Sequence, residues 1–181
     1  MVFANFSKMI KIAKTIITAI IILGSNSVSF AQTSASASAE ANIIIPIAIT
    51  KVTDMNFGNV AVSASTGGTV ILGTSSIRTT GGAGGITLPA TTGTVKAAEF
   101  TVIGQASYSY VITLPASCTI SDGSGHTMTV NSFTSSPAST GTLSGSGRQS
   151  LKVSATMVVP ASQPAGVYTN PGGVAVTINY N

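Results

Sequence analysis

The residues able to do chemistry are few and scattered. There is one histidine, His126, and one cysteine, Cys118, eight positions before it. A Cys–His dyad is conceivable across a hairpin, but it needs a third group to orient the imidazole and donors for an oxyanion, and the sequence offers neither. Past the first thirty-one residues the carboxylates are Glu40, Asp54, Glu99 and Asp122. They are too far apart to read as an acid/base pair flanking a substrate or as the clustered ligands a metal needs. "SDGSG" (121–125) resembles part of a calcium loop without its later carboxylate. "SGSG" (144–147) lacks the strand-then-helix setting of a phosphate cradle. No GxSxG occurs. These residues predict no catalytic, cofactor-binding or metal site, and hence a protein that is not an enzyme.

The elements that would have to position such residues say more. Lys8, Lys11 and Lys14 followed by "TIITAIIILG" and "SVSFA" have the order of an export signal, with cleavage expected after Ala31. A spanning helix needs roughly 20 apolar residues, and Ser25, Asn26, Ser27 and Ser29 interrupt too early, so no membrane span is expected after cleavage. The signal carries three of the eight cations. The remaining Lys51, Arg78, Lys96, Arg148 and Lys152 against four carboxylates give 5 − 4 = +1. Five scattered cations make no basic face for displacing phosphate counterions, which argues against nucleic acid as a partner.

The rest of the chain is poor in charge and rich in Gly, Ser, Thr, Ala and Val. One cysteine cannot close an internal loop, so core and ladders must hold the fold. Alternating segments recur between Gly, Ser, Thr and Pro clusters. "GTVILGT" (68–74) reads as a buried strand. Ala98, Phe100 and Val102 share a face, as do Tyr108, Tyr110, Ile112 and Leu114, and Leu151, Val153, Ala155, Met157 and Val159. "CTISDGSGHTMTV" (118–130) reads as a hairpin turning at Asp122–Gly125. The C-terminal "VAVTINYN" places Val174, Val176, Ile178 and Tyr180 inward. "RTTGGAGGITLPATTG" (78–93) is the least regular stretch, a loop or weak edge hairpin. The expectation is an all-β chain: an immunoglobulin-like antiparallel two-sheet sandwich of about eight or nine strands over 43–181, after a signal peptide (1–31) and a Ser/Ala-rich leader (32–42).

"PIAIT" (46–50), "MNFG" (55–58), "AAEFTVIG" (97–104), "YVITLP" (110–115), "MTVNSF" (128–133), "PAGVYT" (164–169) and the terminal "VAVTINYN" together resemble a family of exported bacterial β-sandwich domains of unknown function. That family is similar in turn to spore coat protein U and to subunits of chaperone–usher fimbriae, whose chains end on an alternating strand with a penultimate aromatic, the place of Tyr180. The resemblance implies a structural subunit, exported to the periplasm, cell surface or medium. It also implies assembly with identical or related subunits by strand exchange, with a periplasmic chaperone as a further partner.

The resemblance focuses attention on "SASASAEANIIIPIAIT" (34–50). Every odd position from Ala35 to Ile49 is apolar. Three readings compete. Ala35–Ala41 is donated to a neighbour, although four methyl groups bring only about 3 kcal/mol of burial. Or Ile43, Ile45, Ile47 and Ile49 are the donated knobs, worth about 6–12 kcal/mol, although Pro46 lacks the N–H an inserted strand uses. Or Ile43–Ile49 is the domain's own first strand, bent at Pro46, and is ranked first because the strands suffice to close a sandwich. The functional expectation is a non-enzymatic structural or adhesive protein of the bacterial surface. The rival is a self-complete secreted binding module, with glycans as a candidate ligand, thinly supported by seven aromatics and no tryptophan beyond residue 31.

Overall fold

One strand organises the molecule. β13 (Arg148–Val159) is twelve residues long, and its inward positions Leu151, Val153, Ala155, Met157 and Val159 are all buried. In the computed structural model, residues 8–14 and 32–181 are described. The chain divides into two units, Met1–Asn42 and Ile43–Asn181. In the first, residues 8–14 form a short helix, and residues 32–42 are exposed without regular secondary structure. The rest of the expected signal peptide, with its cleavage point, lies outside the described residues. No described helix is long and apolar enough to cross a membrane.

The second unit is all-β and every strand pair is antiparallel. One edge of β13 is shared by two partners. β8 (Ala98–Ile103) pairs with Arg148–Val153, and β4 (Gly68–Leu72) pairs with Ala155–Val159. β11 (Thr127–Ser136) takes the opposite edge. β1 (Ala48–Thr53) extends the sheet beyond β8, β10 (Ser117–Ser121) beyond β11, and β5 (Arg78–Gly81) beyond β4. A second, three-stranded sheet, β12 (Thr140–Thr142), β9 (Ser109–Thr113) and β14 (Thr177–Tyr180), packs on the β8 half of the first. Two-residue ladders complete the inventory. β2 (Asn56–Phe57) pairs with β7 (Val95–Lys96), and β3 (Ala61–Val62) with β6 (Ile86–Thr87).

The core follows from this layering. Under the second sheet Phe100, Val102, Leu151 and Val153 meet Tyr110, Ile112, Leu143 and Ile178. Under the β10–β11–β4 half a second cluster gathers Val70, Met128, Val130, Met157 and Val159, and its cover is partly buried side chains such as Phe57, Val62 and Tyr168. The second layer is therefore a three-stranded sheet over one half of the core, and over the other half the two-residue β2–β7 and β3–β6 ladders with irregular segments.

Three expectations are corrected. The alternation of β8 and β13 continues as read, but Tyr108 does not share the inward face of Tyr110. Tyr108 lies one residue before β9 begins, just after Ser107 at φ +64°, and is 42% exposed. The stretch 78–93 is no loop throughout, since it contains β5 and β6. The C-terminal strand is shorter than Val174–Tyr180. Val174 and Val176 keep the half-buried side of the alternation, but β9 pairs only as far as Thr113↔Thr177, two residues before Pro115, so they have no ladder.

Candidate functional site

The uncovered part of the second layer is a cleft of ≈ 1310 Å³. Its floor is the inner face of the first sheet: Ala98 and Phe100 at one end, then Met157, Val159, Met128, Val130, Cys118 and Ile120. Alternation in β8, β10, β11 and β13 aims these side chains inward. One wall is Thr53–Val62 and the other is Gln163–Val174. Among the described residues the only charges lining it are Lys51 and Asp54, an exposed pair at 2.7 Å. Three methionines, Met55, Met128 and Met157, line it too, and their unbranched thioethers adapt to whatever shape is pressed on them.

Past the Gln163–Val174 wall the chain continues into β14, which offers unpaired backbone outside the cleft lining. The Asn181 N–H donates to Ser109 O. The alternation of an antiparallel ladder then directs Asn179 and Thr177 at β9 and turns the backbone groups of Ile178 and Tyr180 to the other side. Among the described residues no strand pairs with that side of β14. The opposite wall is held from behind by Arg78. Its Nη1 donates to Phe57 O at 2.5 Å and to Asn59 O at 2.6 Å, while its Nη2 is buried with no partner among the described residues. The Gln163–Val174 wall is tied to the first sheet by a two-bond bridge, Thr169 to Ser121, 2.9 Å each way, and by Gln163 Nε2 donating to Thr127 O at 3.4 Å.

At the far end of β14 the chain grips its own first residues. Ile45 N–H donates to Gln105 Oε1 (3.2 Å), Gln105 N–H donates to Tyr180 Oη (2.6 Å), and Tyr180 Oη donates to Ile45 O (2.7 Å). Tyr108 holds the Tyr180 ring edge-on at 5.7 Å. Gly104 makes room, because a Cβ there would lie 2.3 Å from Tyr180 Oη. This clasp also resets the parity of the N-terminal run. Ile47 and Ile49 turn in and pack on the core, while Ile43 is 95% exposed and Ile45 57% exposed, with Ile44 half-buried. The four isoleucines Ile43, Ile45, Ile47 and Ile49 therefore do not share one face. The ladder begins only at Ala48, after Pro46, which has no N–H to give it.

A family model matches the part of the chain just described. The match to the family model runs from residue 47 to 180, from the end of the Pro46 bend to the clasp tyrosine. The chain belongs to the DUF4402 family, a domain of unknown function. No curated protein and no solved structure matches it.

The groups first considered for chemistry stand apart in this DUF4402 domain. Cys118 pairs with Val130 and lines the cleft. His126 lies at the hairpin tip, four residues farther along the ladder, about 13 Å at 3.3 Å per residue. There the carboxylate of Asp122 accepts from His126 Nδ1 (2.6 Å), Ser124 N (2.8 Å) and His126 N (3.1 Å). These bonds, that to the His126 ring foremost, hold the Asp122 carboxyl below its ordinary range. Glu99 accepts from Ser150 Oγ at 2.8 Å, and Glu40 is exposed on residues 32–42. No three His, Cys, Asp or Glu residues gather among the described residues. Arg78, Gln105 and Gly104 were not singled out by the sequence. Only Tyr180, as a penultimate aromatic, carried a signal.

Proposed function

We propose that this domain is a non-enzymatic structural subunit of the bacterial surface whose cleft receives an extended strand from a second copy, the segment around Ala35–Ile43. The observation that carries the reading is the half-covered core. An apolar floor lies between the Thr53–Val62 and Gln163–Val174 walls, and β14, three residues past the second wall, has an unpaired edge; an added strand needs both, main-chain bonds for affinity and pockets for alternate side chains. The donor is argued from its length and charge. Residues 32–44 span about 43 Å when extended, long enough to cross the β4–β13–β11–β10 half of the first sheet, four strands about 4.8 Å apart. Glu40 falls among the even positions and the small apolar side chains Ala35, Ala37, Ala39, Ala41 and Ile43 among the odd, so a neutral face meets a neutral floor. Ile47 and Ile49, spent in the domain's own core, are not part of the donated set. The resemblance to fimbrial and spore-coat subunits supports the same reading, with a periplasmic chaperone holding the cleft until subunits meet.

The test is light scattering after size exclusion on two chains, one starting at Gln32 and one at Ile43. The expected result is ladders for the first and a folded monomer for the second. A monomer in both cases, or ladders in both, overturns the reading. Saturable binding of a glycan by a folded monomer would favour the self-complete binding module instead.

A further inference from the structure

The geometry points to the clasp of Tyr180 and Gln105 on Ile45 as the device that keeps a chain from filling its own cleft, so that assembly proceeds from copy to copy. This rests on the strand-exchange reading above. Both backbone groups of Ile45 are engaged, its N–H by Gln105 Oε1 and its carbonyl by Tyr180 Oη, while its side chain stays largely in solvent. The clasp thus grips main chain, and the residue it grips precedes Pro46, which confines Ile45 to extended backbone.

The direction of β1 gives that grip its meaning. β1 pairs with β8 from Ala48↔Ile103 to Thr53↔Glu99, so it runs from the clasp toward the cleft, whose first lining residues are Lys51 and Phe100. For the donor segment to seat beside its own β14, the chain must reverse at Ile45–Pro46 and come back along the path from Tyr180 to Val174, about 20 Å of extended chain. A reversal is what two hydrogen bonds and a following proline oppose at this residue. The clasp platform is itself braced. Gly104 N–H donates to Gly147 O at 3.0 Å, and Tyr108 packs on the Tyr180 ring.

The test uses Cys118, which lines the cleft. Cysteine is introduced in turn by Ala37→Cys, Ala39→Cys and Ala41→Cys in the chain starting at Gln32, and disulfides are allowed to form. With the clasp intact, leader and cleft should link between copies and give a ladder on a non-reducing gel. Adding Tyr180→Phe keeps the ring and removes the hydroxyl. The ladder should then give way, by tenfold or more, to internally linked monomers and closed dimers. Gln105→Leu should act alike, whereas Gln105→Glu, which keeps an acceptor oxygen, should restore the ladder. Amide exchange at Ile45 reads the clasp directly: protection in the parent chain, lost in Gln105→Leu. Unchanged ladders with Tyr180→Phe, or an unprotected Ile45 amide in the parent, overturn the clasp and leave strand exchange standing. Failure of every leader cysteine to reach Cys118, in any variant, overturns strand exchange and the clasp's role with it.

Discussion

Truncating two apolar side chains of the first sheet should have opposite consequences for the monomer and for the assembly. Leu151 is 0% exposed, beneath the second sheet. Leu151→Ala removes its contacts on all sides and should cost about 2–5 kcal/mol, or a fall in Tm of roughly 10–20 °C in a domain of this size. Ile120 faces the same way on β10 but only half-buried, with the cleft above it. Full burial of an isoleucine is worth about 1.5–3 kcal/mol, so roughly half of that, about 1 kcal/mol, is realised in the monomer. The other half is realised only when a strand closes over it. Ile120→Ala should therefore lower urea stability by about 1 kcal/mol and weaken subunit association by roughly fivefold. The assays are urea unfolding of the chain starting at Ile43 and light scattering of the chain starting at Gln32 over a concentration series. If Ile120→Ala costs the monomer as much as Leu151→Ala, the cleft is closed in solution and the reasoning fails. It fails equally if association is unchanged.

Further outcomes are expected. Ala39→Val adds two carbon groups to a donated side chain, about 1.6 kcal/mol at 0.8 per group, so ladders should form at roughly tenfold lower concentration; an unchanged midpoint would place Ala39 outside the cleft. Asp122 has a lowered folded pKa, so the stability it lends the hairpin is present above the unfolded value near 4 and fades as pH falls through the folded one. Asp122→Asn should abolish that acid dependence of the Ser124 and His126 amide exchange, and a persistent dependence would assign it elsewhere. Tyr110 is fully buried, its hydroxyl donates to Gln149 Oε1 at 2.8 Å, and burial raises its pKa. Its contribution is therefore complete below pH 10 and is lost as pH climbs through the raised value. Tyr110→Phe should cost about 1 kcal/mol at neutral pH and remove that alkaline loss in urea titrations.

What the sequence made legible is whatever alternation alone determines. In β8 and β13 neighbours lie on both edges, the backbone stays regular, and every inward residue read from the pattern is buried. Where backbone geometry or a missing neighbour intervenes, the pattern misleads. Pro46 and the clasp break the parity of Ile43–Ile49. Ser107, with φ at +64°, turns the chain just before Tyr108, which falls outside β9. Val174 and Val176 alternate as a strand should but lie past the point where β9 can pair with them. The cleft was legible only in parts. Of its floor, Ala98, Phe100, Met157 and Val159 alternate inward in the sequence, but which half of the core lacks a three-stranded cover depends on pairings far apart in sequence. Arg78 and Gln105 act on carbonyls and amides 19 to 60 residues away, and no local spacing announces them.

The sharing of β13 among β8, β11 and β4 also sets the order in which the chain can take shape. None of those three strands has another route into the first sheet: β4 and β8 reach each other only across β13, and the β10–β11 hairpin joins through it. Until residue 148 has left the ribosome, everything before it is a collection of hairpins too small to stand alone. The connection from Ile45 to Tyr180 spans 135 positions and can form only once residue 180 has been made. Such a non-local topology folds slowly. A nascent chain of this kind stays unfolded for as long as it is being made, and one truncated before β13 has no stable remnant to leave behind.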